Sequence, residues 1–284
     1  MRDHHTGYDR YATDRCEQVL LTLLGDVGPW SERIYLAGGL APRYLVGRLP
    51  EGAGAHVGTT DVDLIIGLAL DDDLPETYRT LHNNLTNAGF KQVEPSFRWS
   101  RTVDGTSVYV EFLCETDRVA PGAIYRPREG TGSSLGAFNV RGAQLAARDY
   151  VECSIEGDRL DDGGRSTVTV RVAGLLTYTV LKILAFQDRH ENKDAYDLVF
   201  IIANYPGGPT AAGRASATSP IADHRQVTEA IALLAARFAD AGHDGPHAYA
   251  SFLADSDDAA AKARLRNEAV AAIDQYLTSF HAQP

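Results

Sequence analysis

The chain has 284 residues, 44% of them hydrophobic, and a formal net charge of −11. That length allows one large domain or two modest ones, each with a sizeable core. The charge argues against a surface coated for non-specific nucleic-acid binding, although a local basic strip remains compatible with it. Cys16, Cys114 and Cys153 are scattered, form no CxxC pair, and read as free thiols of a reducing cytosol. The N-terminus is polar, with no apolar signal region. The longest apolar stretch, residues 173–186, is too short to span a bilayer and contains Lys182. The expectation is a soluble cytoplasmic protein with no membrane partner.

Residues 11–25 predict an amphipathic helix with Cys16, Val19, Leu20, Leu23 and Leu24 as its buried stripe. A short strand over 33–37 should end at Gly38-Gly39, with Pro42 in the first turn of a helix running to about Val46. A Gly-rich loop, 47–58, leads to a strand over 62–70. Asp71-Asp72-Asp73 would cap a helix over 74–88, which Gly89 ends. Residues 98–103 and 106–113 read as a hairpin around the two-residue turn Asp104-Gly105. The Gly-, Arg- and Ser-rich stretch 117–147 gives no clear element. Strands are expected over 150–156 and 166–172, then helices over 174–189 and 193–204. Residues 206–220, rich in Gly, Pro, Ala and Ser, read as a mobile linker before helices near 223–240, 247–254 and 257–280. Mixed strands and helices followed by helices alone imply an α/β (α+β) domain over 1–172 and a helical C-terminal domain over 173–284.

Four constellations carry chemistry. Glycines at Gly38-Gly39 let backbone amides approach a phosphate, or simply make a turn. Asp61 and Asp63 share one face of a strand that continues into Leu64-Ile65-Ile66. Paired carboxylates there repel each other unless a divalent cation offsets the charge, and solvated acids at a strand entry are the plain alternative. Glu111 interrupts the apolar strand 108–113. If the Asp104-Gly105 turn has two residues, Arg98 lies across from Glu111, so a cross-strand ion pair competes with a third metal-site carboxylate, and both roles are compatible. Finally, Lys182, Arg189 and Lys193 would fall within a narrow angular range on a continuous helix, a stripe suited to triphosphate or to solvent. Lys182 stands out because its surroundings are apolar. Asp194 and Asp197 could steer that lysine, act as a base, or simply favour a helix N-terminus. The histidines lack HxxxH or HExxH spacing, and there is no Walker loop, GxSxG or GxGxxG.

Together, Gly38-Gly39, Asp61-Val62-Asp63 and Glu111 resemble the signature of the nucleotidyltransferase superfamily, the polymerase-β-like fold. Lys182, Arg189 and Lys193-Asp194-Ala195-Tyr196-Asp197-Leu198 look most like its AbiEii/AbiGii toxin branch, from toxin–antitoxin and phage-defence systems. The resemblance covers about residues 31–204. It departs from the family in the long 40–60 interval before Asp61 and in having Glu at position 111. It implies a mixed sheet flanked by helices and a catalytic set of Asp61, Asp63, Glu111, Lys182 and Asp194. Asp61, Asp63 and Glu111 would hold Mg²⁺, or Mn²⁺ in its place. Gly38, Gly39, Thr59, Thr60, Lys182, Arg189 and Lys193 would bind the NTP. It further implies NMP transfer to a hydroxyl with loss of pyrophosphate, a tRNA or other RNA acceptor, and a cognate antitoxin. An RNA acceptor would require Arg118, Arg126, Arg128, Arg141 and Arg148 to form a local patch. The alternatives are an aminoglycoside-type small-molecule nucleotidyltransferase and an inactive binding module or antitoxin of the same fold.

Overall fold

The computed structural model describes residues 4–49, 53–67, 75–94, 97–126, 135–160, 164–254 and 258–282. The chain divides into two compact units. A sheet unit comprises Asp9–Ala41 and Gly58–Ala173, and a helical unit comprises Met1–Tyr8, Pro42–Val57 and Gly174–Pro284. The expected α+β class with a helical C-terminal part is what is observed.

In the sheet unit, helix α1 (Arg10–Asp26) buries the predicted stripe: Cys16, Val19, Leu20 and Leu23 are fully shielded from solvent. Strands β1 (Ile34–Ala37), β2 (Asp61–Ile66), β3 (Lys91–Val93), β4 (Arg98–Val103), β5 (Thr106–Cys114), β8 (Tyr150–Asp158) and β9 (Arg165–Ala173) form one mixed sheet in the order β3-β4-β5-β2-β1-β9-β8. The short β6 (Ile124–Tyr125) and β7 (Ala137–Asn139) pair with each other, and β7 adds to the end of β5. The β4–β5 hairpin has the predicted two-residue turn, with Val103 opposite Thr106 and positive φ at both Asp104 and Gly105. Those dihedrals match the right-handed twist of the flanking strands. In the unassigned stretch, Asn139 holds the chain by bonding Thr116 N, Thr116 O and Val119 O through its side chain.

Alternation gives the sheet two unlike faces. Leu36, Val62, Leu64, Val110, Phe112 and Val172 make one apolar, fully buried face. Helix α1 packs on that side: a Cβ added at Gly157 of β8 would lie 3.3 Å from Leu21. The opposite face carries Asp61, Asp63, Tyr109, Glu111 and Arg98, all partly or largely exposed. Helix α3 (Pro75–Asn87) ends where Gly89 adopts positive φ and Phe90 N returns to Leu85 O. The predicted Asp71–Asp73 cap and the strand beyond residue 67 lie outside the described residues.

The helical unit contains α2 (Pro42–Leu45), α4 (Leu175–Arg189), α5 (Asn192–Asn204), α6 (Gly208–Ala217), α7 (Arg225–Arg237), α8 (Asp244–Leu253) and α9 (Ala259–His281). Residues 206–220 are not the linker their composition suggests. Most of them form α6, which packs against α9. Small residues permit a close backbone approach: a Cβ at Gly213 would lie 2.8 Å from Ser279 Cβ, and Ala212 and Ser216 are buried. A second correction concerns the basic stripe. His190 takes a left-handed conformation (φ 53°) and separates α4 from α5, so Lys182, Arg189 and Lys193 do not share a continuous helix. Among the described residues, no helix is long and apolar enough to cross a membrane.

Candidate functional site

The sheet register sets the first cluster. Ala37 pairs with Asp63, Asp63 with Glu111, and Glu111 with Arg98, so these four residues form one row across β1, β2, β5 and β4. Side chains in such a row share a face at about 5 Å spacing between neighbouring strands. Asp61 stands in the next row, beside Tyr109.

The row needs its glycine. Gly38 has φ 63°, and a Cβ there would stand 2.6 Å from Asp63 Cγ and overlap the Oδ2 atom. Asp63's carboxylate therefore occupies space that any other residue at 38 would fill. Gly39 is buried in the same turn, and the α-helix that follows is only the four-residue α2.

Asp61 is oriented from the preceding loop. Thr59 Oγ1 donates to Asp61 Oδ1 at 2.6 Å. Thr59 itself is gripped by α1: its N–H donates to Thr13 Oγ1 at 3.1 Å, and Cys16 Sγ donates to its carbonyl at 3.8 Å. Gly58, at φ 88°, lies tightly against Thr13. Thr59 is therefore a buried positioning residue whose hydroxyl is committed to Asp61, and Thr60 beside it is half-buried. The acidic field reaches inward. Burial, then the charges of Asp61 and Asp63, push the Cys16 thiol up to about 12.

Glu111 is bound to Arg98, as the hairpin register predicted. Arg98 Nε donates to Glu111 Oε1 at 2.7 Å, and Nη2 donates to the same oxygen. The guanidinium lies 5.4 Å from the Tyr109 ring centroid and 5.7 Å from that of Phe97. Among the described residues, no three His, Cys, Asp or Glu side chains converge closely enough to hold a metal ion. The donor set is nevertheless right for a hard cation. It consists of carboxylate oxygens alone, Asp63 lies in a glycine-made cradle, and Glu111 is engaged by Arg98.

A second charged cluster belongs to the helical unit. Lys182 Nζ lies 2.6 Å from Asp197 Oδ2 and 3.1 Å from Asp194 Oδ1. Arg189 forks onto Asp194 through Nε (2.8 Å) and Nη2 (2.9 Å). Lys193 Nζ donates to both oxygens of Asp197, at 2.8 and 2.9 Å. His56, from the 53–57 segment, contacts Asp197 Oδ1 at 2.9 Å through Nε2, and Tyr196 OH accepts from Val57 N at 3.1 Å. Both aspartates and both lysines are buried. Burial works against the charged forms here, but Asp197 and Asp194 outweigh it at Lys182, whose pKa is raised. Burial opposes the Asp197 carboxylate too, and Lys182 and Lys193 overcome it, holding Asp197 well below the usual carboxylate range. Burial lowers the pKa of His56, so its neutral ring donates from Nε2 to Asp197. His56 had no sequence signal, because nothing local distinguishes a loop histidine that pairs with an aspartate 141 residues away.

Arg128 of the expected arginine patch lies outside the described residues. No protein-family model matches the chain, and no curated protein is similar to it.

Proposed function

We propose that the chain is a divalent-cation-dependent nucleotidyltransferase that moves an NMP from an NTP to an acceptor hydroxyl. The observation that carries the reading is the row of Gly38-cradled Asp63, Glu111 and, beside it, Asp61, half-buried on the face of the sheet opposite its apolar core. Divalent ions such as Mg²⁺ held there would offset phosphate charge and ease deprotonation of the acceptor. Asp61, Asp63 and Glu111 would supply the oxygen ligands, Thr59 orients Asp61, and the Gly38 turn lets Asp63 lie against the backbone. The acceptor oxygen bonds to the α-phosphorus, the α–β bridging bond breaks, pyrophosphate leaves, and the hydroxyl proton passes to a carboxylate of the set. Lys182, Lys193 and Asp194 brace the α4–α5 elbow, and Arg189 is the exposed cation of that group. Nucleotide roles for Lys182, Arg189, Lys193 and Asp194, an RNA or tRNA acceptor, a cognate antitoxin and a growth-inhibiting toxin activity come from the AbiEii resemblance. The test is transfer from labelled NTPs to total RNA with Mg²⁺, comparing wild type with Asp61→Ala and Lys182→Gln. Label transfer lost in Asp61→Ala supports the reading; no transfer by wild type to RNA or protein overturns it.

A second reading takes a small cationic acceptor. It is favoured by the net charge of −11, which suits a cationic acceptor better than an RNA. Transfer to an aminoglycoside rather than to RNA would select it.

A further inference from the structure

Glu111 stands between two alternatives in its row, with Asp63 on the neighbouring strand on one side and Arg98 on the other. Two carboxylates about one strand spacing apart repel each other in the absence of a cation. The structure shows how that is relieved: both donor nitrogens of Arg98 converge on a single oxygen of Glu111, while the guanidinium rests near the rings of Phe97 and Tyr109. A guanidinium and a divalent cation are competitors for the same carboxylate. Arg98's side chain is also 36% exposed, so it has solvent on its free side.

We propose that Arg98 is a phosphate-binding residue held on Glu111 until a cation enters. Glu111 then turns to the cation beside Asp63, and the freed guanidinium, on the same open face, forks onto phosphate oxygens of the incoming nucleotide. This rests on the nucleotidyltransferase reading and adds to it a ligand exchange that couples cation binding to triphosphate binding. The aromatic bed of Phe97 and Tyr109 stays under the arginine in both states and limits the entropy lost when its partner changes.

Calorimetric titration of the full chain with Mn²⁺ alone, and then with inorganic tripolyphosphate at saturating Mn²⁺, separates the two effects. Arg98→Ala removes the competitor, so Mn²⁺ alone should bind about tenfold more tightly, while tripolyphosphate should bind about tenfold more weakly. Arg98→Lys keeps the charge without the fork and should recover the first effect more than the second. Thermal melts confirm that both variants are folded. If Asp61→Ala abolishes Mn²⁺ binding but Arg98→Ala shifts neither affinity, or shifts both in the same direction, the role of Arg98 falls and the metal site stands. If wild type binds no Mn²⁺, the nucleotidyltransferase reading fails, and this inference with it.

Discussion

The two charged clusters use similar residues to opposite ends. In the helical unit, two buried aspartates are matched by Lys182, Lys193, Arg189 and the neutral His56, and each carboxylate oxygen has a donor within 3.1 Å. In the sheet unit, three acids crowd one partly open face, where Thr59 donates to Asp61 and Arg98 donates to Glu111. A charge taken out of water must be paired, and in the first cluster the buried charges pair within the fold itself. The second keeps its acids on a face that solvent and solutes reach, which is the condition for binding a cation. Burial together with charge balance, rather than residue type, separates a brace from a site.

The sharpest break of this comparison is Asp197→Ala. It removes the carboxylate that Lys182, Lys193 and His56 share, leaving Lys182 with Asp194, and should cost about 3–5 kcal/mol in denaturant unfolding. A loss within experimental error would mean that the network contributes nothing to the fold. Next is Gly38→Ala, which forces a Cβ into the position of Asp63's carboxylate at a left-handed φ. It should cost about 1–3 kcal/mol and abolish cation binding; retained Mn²⁺ affinity would show that Asp63 is not a ligand.

Acid titration tests the brace. Asp197 and Asp194 have folded pKa values below their ordinary value, so their stabilisation is present above about pH 3.9 and is lost as pH falls further. His56 is also depressed, so below about pH 6.5 the unfolded chain binds a proton that the folded chain refuses, and stability declines from there. Unfolding midpoints measured from pH 8 to pH 2 should therefore fall, and His56→Gln should remove the upper part of that slope, leaving the part below about pH 3.9 that belongs to the aspartates. The smallest effect on stability is expected for Asp61→Asn. It relieves repulsion while weakening one hydrogen bond, so stability should change by less than about 1 kcal/mol. Loss of cation binding at near-constant stability would sharpen the contrast with Asp197, and a large loss of stability would erase it.

Local chemistry made some features legible. Asp104-Gly105 predicts its hairpin because both turn residues need positive φ, and the hairpin register then places Arg98 opposite Glu111 without any tertiary information. The apolar context of Lys182 marked it as unusual. Composition misled at 206–220, where small residues mean close helix packing against α9 rather than slack chain. Angular spacing misled at Arg189 and Lys193, because a single left-handed residue, His190, breaks the helix between them.

Sequence by itself determined what short-range forces dictate: the amphipathic stripe of α1, the alternating faces of β2 and β5, the hairpin turn, and the placing of Asp61 and Asp63 on one face. Tertiary structure alone decided the partners. That Asp63 fills the space above Gly38, that Thr13 and Cys16 grip Thr59, and that His56 meets Asp197 all depend on chain segments far apart in sequence. A side chain's charge is written in the sequence. Whether that charge is spent on the fold or kept for a ligand depends on which groups desolvate and pair with it, and only the packed chain brings those groups together.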